Sequence, residues 1–425
     1  MSTINEEKSA LSHVRILDLT EGGCMLGGKL FSDMGADVIK IEPPGGSPSR
    51  IPPYYKEIED PQKSIFWFAY NTNKRGITLN LRTPEGQELF KKLAKTADVI
   101  LESFGVGYMD SLGLGYKEIS KIKPNIIYAS ITPFGQSGPK AGYKASDLTL
   151  WASGGFLNDC GDPDRAPVWI GFGPQASFFG GAEAAIGAMT ALWYRSRTGE
   201  GQFIDVSIQE STMSSNMNVL PMWDVNGVEF KRVGAVSFVA ATRVRQPIYF
   251  KCKDGLVMIL ALGGNDPYAS SSERLVQWMK DEGMCPDWLA KLNWWKDYNA
   301  AVLKQDLADK VGQAIEAFTM TKTKAELYEI GAFGKYKQIL VAPVSNTRDI
   351  SEDIQLKARQ FWVNLPHPEL NDSLPYCGPY IRMSETPITL RKRAPLTGED
   401  NRKIYLGELG LSDASLKALQ DKGVI

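Results

Sequence analysis

Short apolar runs and helix-spaced apolar positions alternate along the first half of the chain, and the alternation predicts an α/β architecture. "VRILDLT" (Val14 to Thr20) is an apolar run closed by a Gly-rich turn; "GKLFSDMGA" then carries helical spacing, and "DVIKIEPPGG" is a second run. Strand, glycine turn, helix and strand form a βαβ unit, which implies a parallel sheet with a right-handed crossover. "TPEGQELFKKLAKTA" opens on a Thr-Pro start signal and predicts the next helix; "DVILESF" predicts a strand, "SKIKP" a helix end and "NIIYASIT" another strand. Between Ser177 and Arg197, the residues Phe178, Ala182, Ala185, Ile186, Met189 and Trp193 recur at steps of three and four. That spacing predicts a long, largely buried helix, ended by "RTGEGQ" and leading into the strand "FIDVSIQE".

From about Thr242 the texture changes. "PIYFKCKDGLVMILAL" predicts a hairpin turning on Lys253-Asp254-Gly255, followed by helices rich in Trp and Lys, the helix "TKAELYEIGA" and the strand "LVAPVSN". The tail from Ala394 reads as polar and loop-like, then helical. A chain of 425 residues exceeds the size at which one core keeps growing, so a large domain and a smaller one are expected.

Charge narrows the function classes. The net charge is −1, with basic and acidic residues interspersed, so neither a nucleic-acid footprint nor a polybasic membrane patch is predicted. The acidic start "MSTINEEKSALSHVRILDL" does not fit a signal peptide, and no apolar run reaches membrane-spanning length, which predicts a cytoplasmic protein. The five cysteines are widely spaced without a CxxC pair, and the two histidines leave no material for a His-based metal centre or a Ser-His-Asp triad. The first turn, "TEGGCMLGG", does not fit G-x-G-x-x-G, and its glycines read as close helix–strand packing. "NTNKRGITLNLRTPEGQ" is more pointed, because Lys74 and Arg75 precede a strand and a Pro-Glu-Gly helix start, an arrangement that suits anionic phosphates.

Several ordered blocks carry a resemblance across nearly the full chain: "LDLT…GADVIKIEPPGG", "NKRGITLNLRTPEGQELFKKLAKTADVILESFGVGYMDSLGLGY", "NIIYASITPFGQSGP", "RTGEGQFIDVSIQE", "VAPV", "APLTGE" and "LGELGL". The sequence is similar to the family III (formyl-CoA transferase-like) coenzyme A transferases. The resemblance implies a Rossmann-like large domain from both chain ends (1–225 and 345–425), a smaller α+β middle domain with linkers (226–344), and two subunits threaded through one another as an interlocked-ring dimer. It implies no permanently bound cofactor, a coenzyme A thioester as substrate and a carboxylic acid as acceptor. In such enzymes an Asp carboxylate attacks the donor thioester and is converted, through a mixed anhydride, into an aspartyl-CoA thioester.

Aligned on "APVWIG" and "RTGEGQ", that Asp falls at Gln175-Ala176-Ser177, with Ala176 or Ser177 as the equivalent. Neither can form the anhydride as a carboxylate does. The resemblance also implies CoA contacts at Lys74, Arg75 and Lys144, a carboxylate near the nucleophile at Asp147, and part of a mobile glycine loop at Gly263 and Gly264. It departs at Ser111, where relatives carry an Arg, and at the first turn, Glu21-Gly22-Gly23-Cys24-Met25, which is one residue short. Substitute acids would be Asp147 and Glu183; Asp159, Asp162 and Asp164 read as an exposed Asx-type turn, and Asp205 as structural. The leading expectation is a non-catalytic subunit paired with an Asp-bearing paralogue in a heterodimer or heterotetramer. For such a heteromer the resemblance implies succinyl-CoA as donor and a dicarboxylate such as benzylsuccinate as acceptor. Two readings stand beside it: an active homodimeric transferase, racemase or isomerase using Glu183 or Asp147, and a non-enzymatic CoA-thioester binding protein.

Overall fold

The predicted alternation condenses into one six-stranded parallel sheet, built from β1 (Arg15–Leu19), β2 (Asp37–Glu42), β3 (Arg75–Thr78), β4 (Val99–Glu102), β5 (Ile127–Thr132) and β6 (Gln202–Ser207). The computed structural model describes residues 9–169, 171, 173–239 and 243–425; the first eight residues, Ile170, Phe172 and Thr242, where the sequence texture changes, lie outside them. The strand order is β3-β2-β1-β4-β5-β6, and Leu17 pairs with Ile39 on one side and Ile100 on the other. Both faces are covered, as an all-parallel sheet requires. Leu17, Ile39, Ile77, Ile100 and Tyr128 pack with Leu89, Phe90 and Leu93 of α2 (Pro84–Thr96) and Ile119 of α3 (Tyr116–Ile122). Ile16, Val38, Val99, Leu101 and Ile127 pack on the opposite face with Phe31 of α1 (Met25–Asp33) and with the alanines of α5 (Gln175–Thr198). The Thr-Pro signal acts as read: Thr83 caps α2 by accepting the Gly86 N–H at 3.1 Å, and Pro84 opens it.

The long helix α5 forms where expected, with Ala185 of the expected positions buried and Phe178, Ala182 and Met189 half-buried, but Ile186 and Trp193 face outward. Ala176, Gly180, Gly181, Ala184, Ala185, Ala188 and Ala191 are buried, whereas Ile186 and Trp193 are 60% and 68% exposed. The reason is steric. A Cβ on Gly27 would lie 2.7 Å from the Gly181 carbonyl oxygen, and one on Gly181 would lie 2.9 Å from the Cys24 carbonyl oxygen, so α1 and α5 meet backbone to backbone. Only small residues fit that seam, and the large apolar ones are left outside.

The tail also differs from its polar reading. Ile404, Tyr405, Leu416, Val424 and Ile425 are buried in the core of the large sheet, and the Tyr405 hydroxyl donates to the Thr78 carbonyl at 2.7 Å. Five dispersed apolar residues suffice because the sheet supplies the rest of the apolar surface.

The chain divides into two compact units: 1–157, 169–227 and 355–425 form one, and 158–168 with 228–354 form the other. The division sets 158–168 apart from the large unit because Gly234 N–H donates to Gly161 O, and Asn158 and Arg232 exchange side-chain bonds with the same two segments. In the second unit β7 (Tyr249–Cys252) and β8 (Gly255–Ile259) form the expected hairpin, with Gly255 opposite Cys252, and β9 (Val341–Val344) runs antiparallel to β8. Its core is aromatic, with Trp278 of α6 (Tyr268–Asp281) packed on Phe318 of α7 (Gln305–Thr319) and on Tyr336. Among the described residues, no helix is long and apolar enough to cross a membrane.

Candidate active site

Two helix starts meet beside the carboxyl ends of β5 and β6. Ser146 caps α4 (Asp147–Ser153) in a capping box with Thr149, which fixes Asp147 in the first turn. The opening of α5 has no side-chain cap of its own, since Pro174 stands at that position. Asp147 supplies one from outside: its Oδ1 accepts the Ala176 N–H at 2.6 Å and its Oδ2 accepts the Trp169 indole N–H at 3.0 Å. A carboxylate at a helix N-terminus satisfies an orphan donor and opposes the helix dipole. Both oxygens of Asp147 are therefore engaged in holding α5.

Ala176 is 0% exposed and packs among Cys24, Leu150 and Trp151. Ser177 is half-buried, and its hydroxyl donates to the Pro174 carbonyl at 3.1 Å. The two positions thus differ in direction: 176 looks into the core and 177 away from it. The first turn abuts the same place, because a Cβ on Gly23 would lie 2.7 Å from Pro174 O and 2.8 Å from Phe178 N. Its glycines serve close packing, in line with their sequence reading.

Glu183 lies seven residues beyond Ala176, about 10 Å along the helix. It faces an open groove of about 990 Å³ lined also by Asp205, Glu210, Met213, Met217 and Trp223. Asp205 accepts the Gln136 N–H with both oxygens at 3.0 Å, which holds the loop after β5. Asp162 pairs with Arg165 at the surface.

The basic residues turn inward. Lys74 is 0% exposed, and its ammonium donates to Asp18 Oδ2 at 2.7 Å, Asn71 Oδ1 at 2.9 Å and Met25 O at 3.0 Å. All three of its hydrogens have partners inside the chain. Burial pulls Lys74 down to about 8 against the opposing pull of Asp18. Burial would raise Asp18, yet Lys40 and Lys74 together hold it at about 2. Arg75 bridges Asp37 and Glu408. Lys144 stands exposed in the loop before α4. Ser111 is exposed, and its hydroxyl donates within its own turn to Tyr108 O at 2.7 Å. In the second unit Gly263 and Gly264 lie hard against the 294–299 segment, where a Gly263 Cβ would meet Tyr298 O at 2.2 Å.

Two features went unread in the sequence. Glu102, at the end of β4, is buried and raised to about 7 by desolvation, with bonds to Ser130 and the Phe104 N–H only partly offsetting it. A glutamate closing a strand in "DVILES" is the signal that marks it. The second is the side chain of Glu21, held by Ser47 and Ser49 from the "PPGGSPS" loop. Among the described residues, no cluster of His, Cys, Asp and Glu is placed to hold a metal ion.

Comparison with known proteins gives this geometry a context. The profile of CoA-transferase family III matches residues 11–401. The chain is 34% identical over 401 residues to the succinyl-CoA:(R)-benzylsuccinate CoA-transferase subunit BbsE of Thauera aromatica, covering 93% of each. It is 30% identical over 430 residues to a formyl-CoA:oxalate CoA-transferase of Streptomyces coelicolor, covering 98% of this chain and 99% of that one. The crystal structure of a CAIB/BAIF family protein from Brucella suis superposes with a TM-score of 0.80 at 27% identity, over 94% of this chain and 99% of that one.

Proposed function

The chain belongs to CoA-transferase family III, and from that premise we propose that it is the non-catalytic subunit of a cytoplasmic heteromeric CoA-transferase. Its partner is an Asp-bearing paralogue, the donor is succinyl-CoA and the acceptor is a dicarboxylic acid of the benzylsuccinate type. The observation that carries this reading is the start of α5: Ala176 is buried in the core, Ser177 bears a hydroxyl, and the nearby acid, Asp147, already accepts from Ala176 N–H and Trp169. A nucleophilic carboxylate must turn an oxygen toward the thioester, whereas both oxygens of Asp147 are anchored, one to the start of α5 and one to Trp169.

The chemistry then runs on the partner. Its carboxylate attacks the succinyl-CoA carbonyl, expelling CoA thiolate and leaving a mixed anhydride. The thiolate adds to the aspartyl carbonyl and releases succinate. The acceptor carboxylate next attacks the aspartyl thioester, and the freed thiolate takes the acyl group from the second anhydride, restoring the Asp. The role of this chain is to complete and rigidify the assembly. That role is supported by the exposed apolar side chains beside the groove, Met217 at 76%, Leu220 at 64% and Trp223 at 57%, which form a patch suited to a second subunit. A self-sufficient homodimer using Glu183 finds less support, since Glu183 lies about 10 Å from the start of α5.

The test is reconstitution. The chain purified alone, its paralogue alone and the mixture are assayed for CoA transfer from succinyl-CoA, with hydroxylamine trapping of the acyl-enzyme. Turnover should require the paralogue, and the trapped adduct should sit on the paralogue only. Turnover by this chain alone, or an adduct on it, would overturn the reading.

A further inference from the structure

Glu21 stands where an open parallel sheet receives its ligand. In the order β3-β2-β1-β4-β5-β6 the winding reverses between β1 and β4, and the crevice beyond the carboxyl ends of those strands is where such sheets hold phosphates. Glu21 lies just past β1, and its N–H donates to Ser103 Oγ, just past β4, at 2.8 Å. Its carboxylate Oε2 accepts both the Ser47 and the Ser49 hydroxyls, which come from the loop after β2. Ser49 Oγ in turn accepts the Gly22 N–H at 2.7 Å.

The serine loop is a built structure. Ser47 N–H donates to Glu42 Oε2 at 2.8 Å, Ser49 N–H donates to Ser47 Oγ at 2.9 Å, and Arg50 grips Glu42 through two bonds of 2.7 and 2.8 Å. Gly46 makes the turn into it with φ near +100°, a conformation that favours glycine. Ser47 and Ser49 are each 6% exposed, so their hydroxyls are directed at the carboxylate and not at solvent. Two buried hydroxyls converging on one point beside a β1 turn are donors suited to a phosphate oxygen. Here the chain supplies the anion itself.

We infer that Glu21 occupies the phosphate cradle of this chain's own crevice and so closes that crevice to the phosphates of CoA. An incoming phosphate must either displace the carboxylate from its two hydroxyls or lie against a like charge, and both are unfavourable. The inference rests on the proposed function, because a subunit that leaves the chemistry to its partner has no need of an open cradle.

Calorimetric titration of the full chain with CoA, and separately with inorganic phosphate, tests it. Glu21→Ala should bind CoA at least about tenfold more tightly than the unaltered chain, because the repulsion is gone and two buried hydroxyls are left to be satisfied. Glu21→Gln, which keeps an acceptor for the serines but no charge, should gain severalfold and carries the test if the alanine variant does not fold. The gain should vanish in E21A/S47A/S49A. Equal enhancement for inorganic phosphate would assign the cradle to free phosphate and overturn the claim for CoA. Equal CoA affinity in the unaltered chain and both Glu21 variants, or a gain that survives loss of the serines, would also overturn it. Tight CoA binding by the unaltered lone chain without turnover would sink this inference alone, whereas turnover by the lone chain would sink the subunit reading.

Discussion

Several charged side chains here are engaged by partners within the chain. Lys74 is the clearest case: with its three hydrogens inside the chain and Asp18 as counter-ion, it has nothing to offer a phosphate. Lys74→Met should lower unfolding stability in urea by about 3–5 kcal/mol, the usual penalty for leaving a buried charge with part of its pairing removed. Asp147 should show a milder effect, since Asp147→Ala removes a helix cap worth about 1 kcal/mol and frees the Trp169 indole, measurable as a lower midpoint in thermal unfolding. Glu102 sets a pH slope. Its carboxyl is raised from 4.5 to about 7 by burial, so the folded chain holds that proton more tightly than the unfolded chain. The resulting stability is present below about 4.5 and is lost as pH rises through about 7. Denaturation midpoints measured between about pH 6.5 and pH 8 should decline with pH in the unaltered chain and decline less in Glu102→Gln. His367 contributes the opposite slope: burial outweighs the pull of Glu369 and lowers its pKa, so its neutral form favours the fold and stability is lost as pH falls below about 6.5.

At the scale of elements, the seam between α1 and α5 governs the large unit. Gly181→Ala would improve helix propensity by about 1 kcal/mol, yet its methyl would meet the Cys24 carbonyl oxygen at 2.9 Å in a backbone that has no room to yield. A net loss of about 1–3 kcal/mol is expected by chemical denaturation, while Gly407→Ala, whose added Cβ meets nothing within 4 Å, should be neutral. The same seam explains what was legible beforehand. Five of the six strands could be read as short apolar runs next to helix signals, β3 (Arg75–Thr78) from its place before the Thr-Pro helix start, and α5 from its three-and-four spacing. Which face of α5 is buried could not, because hydrophobicity ranks Trp193 and Ile186 above Gly181 and Ala188, while the close approach of α1 selects for size. That Asp147 caps α5 depends on a contact between residues 29 positions apart, which local pattern does not carry. The inward direction of Lys74 depends likewise on Asp18, 56 positions away.

At the scale of the whole molecule, the exposed apolar side chains of 213–225 are the feature that a lone chain leaves unsatisfied. In the proposed complex, Trp223→Glu should weaken association with the paralogue by about 100-fold or more, read by analytical ultracentrifugation. The far-ultraviolet circular dichroism of the lone chain should not change, because Trp223 is already 57% exposed within it. The clamp between Asp147 and the start of α5 bears on ancestry. If an acid once stood at the start of this helix, its return is confined to one door: an aspartate at position 176 would be thrust into an apolar core beside a carboxylate already in place, whereas position 177 still looks outward. A carboxylate introduced at this helix start should therefore be tolerated better at 177 than at 176.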